Sequence, residues 1–290
     1  MKVKPPASNV EWTAWAQKDP LYAVATCPER NKEGLVPWSD DAFYALGKSD
    51  WDDFRARWSQ YGLDRDSCVE IGCGAGRMTA PMAEHFGVVH AFDISEHMLE
   101  YARRKVTAKN VEFRRNSGAD LPVFDCTISS VFSCHVFQHF DSLEVARQYL
   151  LEAQRVLCEG GTLMIHVPIF RWPNASSLYR WVHQWQTGIS DLKALVNRRL
   201  IRAGVFRPLM RVLPYPIDWI FAELPKIGFE GVEIAIIPLT RNGDPHAFIL
   251  ARKATTEIGS KISTDGDVRA RDPRDPRDPR YSADPVRAFW

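Results

Sequence analysis

A chain of 290 residues, 45% hydrophobic and 25% charged, has the composition of a folded protein able to bury a core. Its formal net charge of +1 excludes a global attraction to nucleic acid or acidic membrane, so any such role must come from a local patch. The start "MKVKPPASNVEWTAWAQ" lacks a signal-peptide apolar region, and no apolar run reaches membrane-spanning length, so a cytoplasmic protein is expected. The cysteines (Cys27, Cys68, Cys73, Cys126, Cys134 and Cys158) contain no CxxC pair; they fit reduced, buried thiols, and no metal is expected.

Taken in chain order, residues 1–60 are rich in Trp and acidic residues and read as helical. "SDDAFYALGKSDWDDFRARW" opens on Ser39 as a cap with an acidic first turn, and Gly47 predicts a break or kink within it. "SCVEIG" reads as a buried strand, followed by a helix from "GRMTAPMAEHF". "VVHAFD" is a second strand, "SEHMLEYARRKV" an amphipathic helix, "VEFRR" a third strand and "SSVFSC" a fourth. "DSLEVARQYLLEAQRVL" begins with a D-x-x-E capping box, Asp141 and Glu144, and "GGTLMIHVP" is a fifth strand. "IDWIFAELPKIGF" reads as a helix, and "VEIAIIPL" with "HAFILARK" as a closing strand pair. This alternation predicts an α/β fold: a doubly wound, mostly parallel, seven-stranded sheet with helices on both faces. Ligands of such sheets bind beyond the carboxyl ends of the strands, at the switch point.

The stretch "VEIGCGAGRM" carries the most specific signal. Gly72, Gly74 and Gly76 permit positive φ and let backbone N–H groups approach a ligand. Asp93 closes the second strand, where a carboxylate can accept both hydroxyls of a ribose. The dinucleotide fingerprint G-x-G-x-x-G is broken, because Arg77 stands where its last glycine would fall. No Lys follows as a phosphate-binding P-loop requires. Glu70, just before the glycines, would repel a phosphate but suits a ligand with a cationic amino-acid end. S-adenosylmethionine has that character: a sulfonium, an ammonium and no phosphate.

Here the sequence resembles the class I S-adenosylmethionine-dependent methyltransferases, in their broad small-molecule branch. "VEIGCGAGRMT" is similar to that family's first motif and "AFDISEHMLEYAR" to its second. "NSGADLPVF", "VFSCHVFQHF" and "LLEAQRVLCEGGTLMIHVP" follow in the family's order. The resemblance covers about residues 66–168, more weakly 215–253, and implies a Rossmann-like fold. It implies that Glu70, Gly72, Cys73, Gly74 and Gly76 border the methionine end of the cofactor S-adenosylmethionine. Asp93 would take the ribose hydroxyls, Ile94 and Met98 would flank the adenine, and Ala119 and Asp120 would meet its amino edge. Cys134, His135 and Val136 would line the floor near the sulfonium. "WTAWAQKDPLYAV" resembles a lid helix of some members, with Trp15 and Tyr22 covering the site. The chain departs from the family at Ser129, where an Asp is usual, and at Cys158 and Glu159, where Lys-Pro is usual.

The organisation that follows is a helical N-terminal lid over 1–60, a methyltransferase domain over 61–253 and a tail over 254–290. The tail's "RDPRDPRDPR" repeat suits an extended, disordered, low-complexity segment. His139 and His135 are the catalytic candidates, since methyl transfer to oxygen can use a histidine base; alignment of the two reactants can also suffice. His166, near the end of the fifth strand, is a further pocket candidate.

Within the domain an inserted helical segment over 170–215 interrupts the pattern. Between Arg171 and Arg211 eight Lys or Arg stand against one acid, Asp191, interleaved with Trp172, Tyr179, Trp181 and Trp185. The resemblance implies that it forms a cap over the acceptor pocket. Peripheral contact with anionic lipid, nucleic-acid stacking, and a solvated helical face over a core of Leu192, Leu195, Val196 and Leu200 are the alternatives. The acceptor expected is a small molecule, saccharide or lipid-linked group; nucleic acid is disfavoured by the overall charge. A methyltransferase-like binding protein without turnover is the competing reading.

Overall fold

Five segments become the parallel strands of one sheet: β1 (Ser67–Ile71), β2 (Val88–Asp93), β3 (Val111–Arg115), β4 (Ile128–Ser133) and β5 (Leu157–Phe170). The computed structural model describes residues 6–170, 192, 195–205, 210, 212–237 and 245–255. A two-residue strand, β6 (Tyr215–Pro216), pairs with the end of β5. The closing strands β7 (Phe229–Ile237) and β8 (His246–Lys253) run antiparallel to each other, and β8 also lies antiparallel to β5. The order is β3-β2-β1-β4-β5-β8-β7, so the chain reverses direction across the sheet between β1 and β4. That reversal opens a crevice at the carboxyl ends of β1 and β4, the place where such sheets bind ligands.

Strand alternation sends side chains to two cores. On one face Val69, Ile71, Val131, Leu163 and Ile165 pack under α6 (Leu143–Val156) and α8 (Ile217–Ile227). On the other, Cys68, Phe132, Met164 and Phe248 pack under α3 (Asp40–Tyr61), whose Trp51, Phe54 and Trp58 are buried against them. The Trp58 ring stacks on Phe132, and its indole N–H donates to the Thr162 hydroxyl at 2.9 Å. Two helices at the start of the chain, α1 (Asn9–Lys18) and α2 (Pro20–Val24), form a third cluster with Met98 of α5 (Glu96–Lys105). Within residues 1–60, then, α1 and α2 lie at the carboxyl rim while α3 covers a sheet face.

Several local expectations are corrected by packing. Gly47 does not interrupt α3. A Cβ there would lie 2.2 Å from the Arg77 carbonyl oxygen, so glycine is needed for close approach of the helix to the loop after β1. Ser39 does cap α3, accepting from the Ala42 N–H at 3.2 Å. Helix α6 is capped by Ser142, not by Asp141, because the Ser142 hydroxyl accepts from the Val145 N–H at 3.4 Å. Asp141 is engaged elsewhere: it accepts from the Ser8 N–H at 3.2 Å and from Arg198 at 2.6 Å. The helix after β1 is only α4 (Thr79–Ala83), and β5 begins directly at Leu157 through an irregular register with β4. At the family departure, Ser129 ties the sheet together instead: its hydroxyl accepts from the Ser67 N–H at 3.0 Å and donates to the Ser67 carbonyl at 2.8 Å.

Most of the basic insertion, including Trp172, Tyr179, Trp181 and Trp185, lies outside the described residues, as does the tail beyond residue 255. A described part is the helical turn α7 (195–202). Its Arg198 bridges Asp141 and Glu11, joining the insertion to α1. Leu192, Leu195 and Val196 are exposed, so they are not the core face that a solvated helix would bury. The six cysteines are free thiols; Cys27, Cys68 and Cys73 are buried, but Cys126 is exposed and Cys134 and Cys158 are half-buried. Among the described residues no helix is long and apolar enough to cross a membrane.

Candidate functional site

Directly after β1 the chain turns through Gly72, Gly74 and Gly76, all at positive φ, 73°, 53° and 84°. The turn is fixed from β2: the N–H groups of Gly72 and Cys73 both donate to the Phe92 carbonyl. Asp93, at the end of β2, completes it. One carboxylate oxygen accepts from the Gly74 N–H at 2.9 Å and the other from the Ser95 N–H at 2.8 Å. Burial holds this carboxyl up to about 6, while the Ser95, Gly74 and Ile94 N–H groups pull it down. Each oxygen keeps a further lone pair for a ligand.

These elements wall a cleft at the carboxyl ends of β1 and β4. Ile71, Gly72, Gly74, Asp93, Ile94 and Met98 form one side, and Cys134, His135, Val136 and His139 form the floor and far side. The sequence-predicted positions thus converge, with exceptions. Cys73 and Gly76 lie in the turn but not on the cleft wall. Ala119 and Asp120 also stand off it, because Asp120 turns back to accept from the Ser117 N–H and hydroxyl. Their place on the wall is taken by Asn116 and Gly118. Asn116 donates to the Asp120 carbonyl and the Tyr149 hydroxyl, both at 3.0 Å, leaving its buried Oδ1 without a protein donor.

Glu70 does not reach the cleft either. Alternation along β1 sends Ile71 to the wall and Glu70 behind it, where it is 3% exposed and accepts from the Thr79 hydroxyl at 2.5 Å. Burial pushes its carboxyl up to about 7, against the Thr79 hydrogen bond and the Arg77 charge. The ordinary value is 4.5, so the folded chain holds a proton that the unfolded chain has lost between about pH 4.5 and 7. The resulting stability is full below that window and lost as the pH rises through 7. Glu70→Gln, neutral throughout, is expected to flatten this slope and to be more stable than the parent at pH 8 by on the order of 2–3 kcal/mol. Urea unfolding at pH 5 and pH 8 measures it; an unchanged slope would remove Glu70 as its source.

The lid residues also differ from expectation. Trp15 is buried against Tyr22 at 5.7 Å and neither lines the cleft. Trp12, three positions earlier on α1, does, with its ring 4.5 Å from that of His139. Asn9 anchors the same helix end by donating to the Ser117 carbonyl at 3.0 Å, and Val24 of α2 packs on Gly74. The signal for Trp12 was present in "WTAW", where two Trp three apart share one side of a helix only approximately.

On the floor, His135 adopts φ +60°, a left-handed conformation that His tolerates better than most residues. It brings the imidazole to 4.4 Å from the His166 ring, and the His166 Nε2 lies 3.1 Å from Nδ1 of His246. Burial lowers His135 well below its ordinary value and His166 to about 3, so both rings are neutral at pH 7.

Residues 69–165, spanning the glycine turn, Asp93 and this floor, match the family described as a methyltransferase domain. The match covers 97 of the chain's 290 residues, which are similar to a methyltransferase domain. A provisionally named methyltransferase of Geobacillus sp. (strain WCH70) is 25% identical over 161 residues, which is 54% of this chain and 62% of that protein. The uncharacterized protein YafE of Escherichia coli (strain K12) is 31% identical over 97 residues, 32% of this chain and 45% of that one. The chain therefore spans less than two thirds of the length of these relatives. A chain of the Haloferax volcanii complex between the Trm112 methyltransferase activator and a provisionally assigned methyltransferase is similar in fold. Its identity is 17% and its TM-score 0.53, over 88% of this chain and 100% of that chain. The matched residues thus bring Gly72, Gly74, Asp93, Cys134, His135 and His139 into one crevice.

Proposed function

We propose that the cleft binds S-adenosylmethionine and that the protein transfers its methyl group to a small-molecule, saccharide or lipid-linked acceptor. The observation that carries the reading is the pair of acceptors on one wall: Asp93, fixed by two backbone N–H groups, and the partnerless buried Oδ1 of Asn116. A nucleoside presents a ribose diol and an exocyclic amine, the donors such a pair satisfies. The same two acceptors disfavour a ligand that presents phosphate there. Ile94 and Met98 supply apolar faces for the base, and Gly72 and Gly74 admit the ligand close to the backbone.

The bound donor would supply an activated methyl group on a sulfonium. The chain's own residues would hold the two reactants in line, exclude water and, where the acceptor is a hydroxyl, take its proton. His139 is the group for that proton. It lines the cleft, and Trp12 and the Gln138 amide, 3.0 Å from its Nε2, fix its ring. The described end of the insertion, Met210 and Leu213, touches Thr26 and Gln138, which supports a cap beside the acceptor side. Contact of the insertion with lipid is a weaker variant of the same proposal.

Calorimetry with S-adenosylmethionine, S-adenosylhomocysteine and NADH tests the reading. The first two are expected to bind with one site per chain and NADH not at all. NADH binding without the other two would overturn it. Donor binding without transfer to any acceptor in a hydroxyl, amine and carbon-acid panel would point to a binding protein.

A further inference from the structure

Register places two soft or borderline metal ligands side by side at the carboxyl rim. Ser133 of β4 pairs with Ile165 of β5, so the next residues, Cys134 and His166, are neighbours. Alternation puts both on the α3 side of the sheet, the side of Phe132, Met164 and Phe248. His135 would point away in an extended chain; its φ of +60° turns it back to the same spot. The cysteine sulfur and one ring nitrogen from each histidine all lie within 4.8 Å of one another.

We propose that Cys134, His135 and His166 form a binding site for a thiophilic divalent cation of the zinc type.

Two further observations support it. His166 is 3% exposed, and its Nδ1 is a buried nitrogen with no hydrogen-bond partner. Its other nitrogen, Nε2, sits 3.1 Å from Nδ1 of His246, the outer hydrogen bond that orients a metal-ligating imidazole. A cysteine ligates as the thiolate, so ion binding would release the Cys134 thiol proton to solvent. Arg77 is paired with Asp50, which offsets its charge beside the site. With zinc–sulfur and zinc–nitrogen bonds of ordinary length, ligand atoms of a tetrahedral site stand about 3.3–3.6 Å apart. Closing from 4.8 Å therefore needs side-chain movements on the order of 1 Å. Three ligands leave one position open, and Cys134 and His135 both line the cleft. The metal would thus stand at the floor of the cleft with room for a fourth ligand.

The proposal is tested on the full chain, stripped with chelator and titrated with Zn²⁺ alone, so failure leaves the S-adenosylmethionine reading untouched. The parent is expected to take one equivalent per chain, releasing one proton. Cys134→Ser and His166→Gln are expected to lose more than about 100-fold in affinity, and His246→Phe about 10–100-fold, as for an outer partner. Replacing zinc by Co²⁺ in the parent should give a tetrahedral ligand-field spectrum with a thiolate-to-metal charge-transfer band that Cys134→Ser lacks. Parent affinity no better than that of the Cys134→Ser, His166→Gln double variant would overturn the proposal. So would a Co²⁺ spectrum without the thiolate band, which is read on the parent and does not depend on any variant folding.

Discussion

Asp93→Ala is expected to weaken S-adenosylhomocysteine binding by ~1–3 kcal/mol, roughly 5- to 150-fold, the value of hydrogen bonds to a charged acceptor. The carboxylate does two things at once. It holds the glycine turn through Gly74 and the start of α5 through Ser95, and it presents its remaining lone pairs to the cleft. Deleting it would remove the proposed ribose partner and loosen the glycine turn it holds. Because burial holds this carboxyl up to about 6, affinity should also fall as the pH drops through 6. A protonated acid offers fewer acceptor sites to a diol. Calorimetry between pH 5 and pH 8 reads both effects. Glu70 titrates in an overlapping range, so the series is best run in the Glu70→Gln background as well. Affinity unchanged by Asp93→Ala would remove Asp93 from the donor site.

Trp58→Ala is expected to destabilise the fold by ~3–5 kcal/mol, the cost of deleting a large buried aromatic. Trp58 is fully buried against Phe132, and its loss would also strip the Thr162 hydroxyl of its donor. Trp58→Phe keeps one aromatic ring on Phe132 but loses the second ring and the hydrogen bond, so it should cost less, about 1–3 kcal/mol. Urea unfolding measures both. A cost for Trp58→Ala below about 1 kcal/mol would show that α3 is a peripheral element and not part of the sheet's cover.

The strands, their parallel order and the position of the crevice were legible in the sequence because they rest on local signals. Apolar runs, turn glycines and capping residues act over a few positions, and they put β1, the glycine turn and Asp93 where the structure has them. Boundaries were less legible. Ser142 replaced Asp141 as the cap because Asp141 is drawn to Ser8 and Arg198, partners 133 and 57 positions away.

The sequence by itself determined the architecture, the glycine turn and the strand-end acid, since periodicity and backbone freedom are properties of neighbouring residues. Which side chains face the cleft was decided by the tertiary structure. Pleat direction turned Glu70 behind the wall, the seat of α1 brought Trp12 forward instead of Trp15, and a turn at Asp120 handed the wall to Asn116. The grouping of Cys134, His135 and His166 has no sequence spacing to announce it, because strand register and one left-handed residue create it. Such groupings depend on contacts between distant strands, which no local pattern encodes.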